Sequence, residues 1–189
     1  MIQIFGIIMV LIFYVAYFSK LINQKSRGIK TNQLGRGRKT KQNIVIETLL
    51  RIATILIVIV MLGSAILNTT LFTSNLLRAI GLGLLFLGTC IFIIAMVTMK
   101  DNWRAGITHE DKTSIVTNGI YMFSRNPAFL GFDLTYIGAC LAFGNIILIV
   151  ITVITIILMH MQILQEEKFL ESTFQQEYRA YKSKVRRYL

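Results

Sequence analysis

The segment Gly119-Ile120-Tyr121-Met122-Phe123-Ser124-Arg125-Asn126-Pro127-Ala128-Phe129-Leu130-Gly131 contains the only proline in the chain and the residues best suited to hold an anion. Asn126-Pro127 has the chemistry of a helix start. Asparagine is a preferred N-cap, and proline is pre-set for the first helical position, where its missing N–H costs nothing. A helix starting here presents free N–H groups and a positive dipole end, and Arg125 adds a forked cation matched to a carboxylate or phosphate. Gly131, one turn on, removes a side chain and leaves room for a flat ligand against the helix. The plainer alternative is a capped helix whose interfacial arginine holds a lipid phosphate.

A second set of groups lies downstream. Ile163, Glu167, Leu170, Phe174, Tyr178, Tyr181, Val185 and Tyr188 recur at spacings of three or four, an apolar stripe on a helix that should lie on the membrane or pack onto a bundle. Glu167 falls inside the stripe and Glu166 at its edge, and His160, seven residues before Glu167, points the same way. A carboxylate on a packed face needs a partner. Either Glu167 pairs with Arg125 or Arg104 and is structural, or it is aimed at the amine or hydroxyl of a ligand.

The elements that must position these groups follow from composition. Of 189 residues, 54% are hydrophobic and 15% charged, against about a quarter charged in a soluble domain. That apolar content also excludes a disordered basic tail. The runs Ile2 to Ile22, Ile44 to Leu67 and Leu76 to Met99 are each long enough to cross a bilayer. The first has no preceding charge and no following cleavage pattern, so a removed signal peptide is a poor description. A fourth stretch, Phe129 to Met161, is too long for one upright span and is interrupted by Gly144-Asn145. It is either one tilted helix or a hairpin, and turn chemistry favours the hairpin. The expectation is therefore an all-α polytopic membrane bundle in one domain, residues 1–189: three spans in 1–99, then the region 100–189 that carries the candidate site. It has about five transmembrane helices, including a C-terminal hairpin, plus an interfacial C-terminal helix.

The net charge of +11 is concentrated in Lys20–Lys41, which has eight cations and no acid, and in the tail. The positive-inside rule makes both cytoplasmic and places the N-terminus outside. Anionic lipid headgroups, not nucleic acid, are the natural partners of the basic loop. The Ile-, Lys- and Asn-rich composition suggests a bacterial plasma membrane. Several smaller readings complete the survey. Arg36–Arg38 reads as a flexible linker, and Glu47 and Arg51, four apart, can pair. Cys90 and Cys140 show no metal spacing and read as packed hydrophobes. Gly81, Gly83 and Gly88 lack the strand a dinucleotide loop requires and suit close helix packing.

The pattern Gly119-x-Tyr121-x-x-x-Arg125-x-Pro127-x-x-x-Gly131, the following apolar stretch and the pair Glu166-Glu167 resemble the isoprenylcysteine carboxyl methyltransferase and phospholipid methyltransferase superfamily of membrane enzymes. Trp103-Arg104-x-Gly106 and Glu177-Tyr178-x-x-Tyr181 are similar to that superfamily as well. The resemblance spans Trp103 to Arg187. It implies S-adenosylmethionine in a pocket lined by Tyr121, Arg125, Asn126, Pro127, Phe129 and Gly131, with Glu166 and Glu167 beside them, and calls for no metal. Asn126 stands where histidine is usual, and Phe129 where tyrosine is usual, so one titrating group and one hydroxyl are lost. Arg125 and a glutamate match the carboxylate and ammonium of the cofactor.

Under this resemblance Arg125, Glu167 and His160 are the expected catalytic residues, and the acceptor is a lipid or small apolar molecule. A carboxylate or thiolate acceptor needs no base. An amine does, with His160, Glu167 or His109 as candidates. Two other readings compete. One is a steroid-reductase-like NADPH enzyme using Arg104, Lys112, Arg125, Arg186 and Arg187; the other is a lipid-binding protein without activity. The compact motif and short chain favour S-adenosylmethionine.

Overall fold

The computed structural model describes residues 1–35, 39–106 and 114–189. The expected linker at 36–38, together with His109 and Lys112, lies outside the described residues. Five helices carry the architecture: α1 (Ile2–Ser26), α2 (Lys41–Leu67), α3 (Asn75–Met99), α4 (Pro127–Phe143) and α5 (Ile146–Lys184). Among the described residues, α1, α2, α3 and α5 are long and apolar enough to cross a membrane; α4, with 17 residues, is shorter.

Helix boundaries follow capping chemistry more closely than the edges of the apolar runs. α2 starts three residues before Ile44 because the Thr40 side chain accepts from the Asn43 N–H at 3.2 Å. It stops at Asn68, whose left-handed backbone (φ 52°) returns N–H groups to the Ser64 and Ala65 carbonyls. Ser74 opens α3 in the same way as Thr40.

Gly144-Asn145 separates α4 from α5. The Asn145 carbonyl oxygen caps the Leu148 N–H at 3.0 Å, and its amide donates to Ser64 (2.7 Å) and Thr69 (2.9 Å). The Leu71 N–H bonds to the Gly144 carbonyl, and Gln3 donates to the last carbonyls of α2. One end of the bundle thus collects the start of α1, the 68–74 linker and the α4–α5 turn. The other end collects the basic loop after α1, the segment after α3 and the C-terminal tail. There Arg27 pairs with Asp101, and Ala105 exchanges backbone bonds with Thr31 (2.9 Å) and Gln33 (2.8 Å).

The stripe from Ile163 continues α5 as far as Phe174, and non-helical backbone at Gln175 (φ 41°, ψ −110°) divides it from a last short helical segment that ends at Lys184. That break redirects the last turns so that the Tyr181 hydroxyl reaches the Tyr121 carbonyl at 2.6 Å. Val185 is already extended.

α3 and α4 approach until their backbones touch. A Cβ on Gly88 would sit 2.6 Å from the Gly131 carbonyl oxygen, one on Gly81 2.6 Å from the Gly138 oxygen, and one on Gly131 2.8 Å from Phe92. The expected packing role holds for Gly81 and Gly88, whereas a Cβ on Gly83 would meet open space. Beside this seam Phe13 stacks on Phe92 with centroids 4.4 Å apart, and Trp103 meets Phe92 edge-on.

Candidate active site

A cavity of about 550 Å³ opens between α1, α2, α4 and α5 at the basic end of the bundle. Its head is polar, with Asn102, Arg104, Tyr121, Arg125, Asn126, Gln162 and Glu166. Its arm is apolar, running between Tyr17 and Phe18 of α1, Leu50, Ile55 and Val58 of α2, and Phe132 and Tyr136 of α4. Phe18 and Ile55 are exposed on the outer surface as well, so the arm reaches the lateral face of the bundle between α1 and α2.

Arg125, just before α4, meets Glu167 of α5. The guanidinium donates to Glu167 Oε1 from Nη2 at 2.8 Å and from Nε at 3.2 Å, and both side chains are over nine-tenths buried. Glu167 also accepts from Arg187 (2.9 Å) and from the Asn126 amide (3.3 Å). The tail is strapped over the start of α4: the Arg125 N–H donates to the Arg186 carbonyl at 2.9 Å, and Ser124 and Asn126 donate to the Arg187 carbonyl. The Glu167–Arg125 pairing weighed from the sequence is present, with Arg187 as an additional partner.

Glu166 faces the cavity instead. It accepts from Gln162 at 3.0 Å, and the same amide reaches Glu47 on α2 at 3.4 Å. Glu47 is fully buried and holds Lys39 at 2.5 Å and the Gly35 N–H at 2.7 Å. The basic loop is thus tied through Glu47 to the cavity wall, and its Asn32 and Leu34 line the cavity beside Trp103 to Gly106.

Of the residues expected at the site, Tyr121, Arg125, Asn126, Phe129 and Glu166 line the cavity. Pro127 occupies the first turn of α4 as expected and is buried there. Asn126 precedes it but does not cap with its side chain; the amide is taken by Glu167 and the tail, and the Asn126 N–H is satisfied by Ser124 Oγ at 3.1 Å. The Asn126 N–H, just ahead of the supposed anion corner, is therefore engaged within the protein. Gly131 faces α3, not a ligand. His160 is outside the lining, with Nδ1 2.8 Å from the Tyr188 hydroxyl. Glu47 and Arg51 do not pair as their spacing suggested, because Glu47 turns toward Lys39 and Gln162.

Two features fit a polar ligand in the head. Among the described residues, Trp103 Nε1 and Gln162 Oε1 are buried without a hydrogen-bond partner, and both residues line the cavity. Tyr121 is buried as well, and burial pushes its phenol pKa far above the ordinary value, so it remains a neutral donor. The arginines a reductase would need are not gathered on one ligand, since Arg125 and Arg187 converge on Glu167.

Fold and site together define an all-α protein of membrane-length helices, with a buried charged head opening into an apolar arm. The phospholipid methyltransferase family model matches residues 76–177, more than half of the chain, and the chain belongs to that family. Methyltransferases of this family use S-adenosylmethionine. The chain is also similar to the protein-S-isoprenylcysteine O-methyltransferase of Rattus norvegicus, 30% identical over 112 residues, which cover 58% of this chain and 39% of that protein. The matched region thus spans well under half of that relative's length.

Proposed function

We propose that this chain is an integral membrane methyltransferase that takes its methyl group from S-adenosylmethionine and delivers it to a lipidic or small apolar acceptor. The observation that carries this reading is the presence of both Arg125 and Glu166 in the lining of a cavity whose arm is apolar and opens sideways. Arg125 is the match for the cofactor's carboxylate and Glu166 for its ammonium, with Trp103 Nε1 and Gln162 Oε1 as further polar contacts. The bound cofactor supplies a methyl on a sulfonium, which an in-line nucleophile displaces. The chain's part is alignment and exclusion of water, served by Tyr121, Phe129 and the roof from the basic loop.

His160 sits against Tyr188, away from the cavity lining. This favours an acceptor that arrives as a carboxylate or thiolate over an amine that must give up a proton. The basic ends argue for a cytoplasmic head, with α4 and α5 crossing as a hairpin, five crossings in all, and the N-terminus outside. A bacterial plasma membrane remains our reading of the composition.

Calorimetric titration with S-adenosylhomocysteine and NADPH tests the assignment. We expect binding of the first alone, lost in Arg125→Ala and Glu166→Gln. NADPH binding without S-adenosylhomocysteine binding would overturn it.

A further inference from the structure

We infer that Arg51 receives an acid group of the methyl acceptor, which makes the acceptor an anionic amphiphile. The inference rests on the methyltransferase reading of the cavity. Arg51 lies on α2, outside the segment matched by the family model, and lines the cavity together with Leu50, Thr54, Ile55 and Val58. Thr54, Ile55 and Val58 follow it at helical spacing, so one face of α2 presents a guanidinium at the top of an apolar strip. Its expected partner is engaged elsewhere, because Glu47 is held by Lys39, the Gly35 N–H and Gln162. Among the described residues the Arg51 guanidinium has no ion pair and no hydrogen bond, although it is half-buried against apolar side chains. A guanidinium in such surroundings calls for a counter-ion.

The charges of the cavity point the same way. Among the described residues that line it, tyrosines aside, the ionisable ones are Arg51, Arg104, Arg125 and Glu166. With Arg125 and Glu166 matched to the two ends of the cofactor's amino acid, the sulfonium adds a further positive charge. An acceptor with a neutral or cationic head would leave the Arg51 guanidinium without a counter-ion in the cavity. An acid group on Arg51 offsets it, with the alkyl chain continuing down the arm past Ile55 and Val58. Carboxylate and phosphate share this chemistry, since both accept a forked guanidinium.

The test uses the full chain in phosphatidylcholine nanodiscs, with empty nanodiscs as the partition blank. Dodecanoate, dodecyl phosphate and dodecanol are titrated with and without S-adenosylhomocysteine. One or both acids should bind about tenfold more tightly than dodecanol, on the scale of one charge-assisted pair, and which of them does so identifies carboxylate or phosphate. R51Q should lose that preference and bind the acids no better than dodecanol, while its affinity for S-adenosylhomocysteine stays at the wild-type value. R51K should recover part of the preference. Equal binding of all three amphiphiles by the wild type, or an undiminished acid preference in R51Q, would overturn the inference. Failure of S-adenosylhomocysteine to bind the wild type would instead overturn the methyltransferase reading, and the titrations without it would still report on Arg51.

Discussion

Glu166 and Glu167 are neighbours in the chain, but an α-helix turns consecutive side chains about 100° apart. One carboxylate faces the cavity, and the other is enclosed by Arg125, Arg187 and Asn126. Their substitutions should therefore separate. Glu166→Gln keeps its size and its bond to Gln162, so we expect lost cofactor affinity with little change in thermal unfolding. Glu167→Gln leaves the buried Arg125 guanidinium and the partly exposed Arg187 short of a counter-charge. It should cost about 3 kcal/mol of stability, read as a lower unfolding temperature. If the two variants lost affinity and stability alike, the division of labour would be wrong. The sequence could place both acids on or beside a packed stripe. It could not show which one a ligand meets, because that depends on Arg187, which a chain reversal brings back.

Among the elements, the contact of α3 with α4 is set by glycines. Gly88 and Gly131 let backbones touch, so Gly88→Leu would drive a side chain into the Gly131 carbonyl. We expect it to abolish the folded monomer in detergent, assayed by gel filtration, whereas Gly83→Leu should be tolerated because its Cβ meets open space. The long helices were legible from their apolar runs, and the glycines of α3 from their small size. Gly131 was misread as a ligand contact because the same residue serves a ligand or a neighbouring helix equally well in one dimension. The Glu47–Lys39 pair was also hidden. Spacing pointed from Glu47 to Arg51, and only the fold of the basic loop brings Lys39 against it. Lys39→Met should remove the Lys39 cation from the buried Glu47 and lower the unfolding temperature.

At the scale of the molecule, the basic loop after α1 and the C-terminal tail lie at one end of the bundle, and the α4–α5 turn lies at the other with Thr69 and Leu71. The five-crossing proposal then makes a direct prediction about sidedness. In a background lacking Cys90 and Cys140, a cysteine at Ile146 should react with an impermeant maleimide added outside intact cells. One at Ser183 should react only after lysis. Reaction of both from one side would contradict a hairpin that crosses the membrane. Gly144-Asn145 marked the break between α4 and α5, but the length of the apolar stretch alone did not decide between one tilted helix and two. What the sequence could not convey is that the basic loop, read as a lipid-facing and topological signal, also roofs the cavity.

The strap across the start of α4 has a bearing on how the protein is made. Arg125 reaches its carbonyl partner on Val185 across 60 residues of chain, and Asn126 reaches Arg187 across 61. During synthesis the helix carrying Arg125 therefore leaves the ribosome long before the residues that fix its guanidinium. Until they arrive, Arg125 and Glu167 lack the tail that completes their clamp, and the head of the cavity is unfinished. Cofactor binding should consequently appear late and abruptly in a series of stalled nascent chains, well after the helices have inserted.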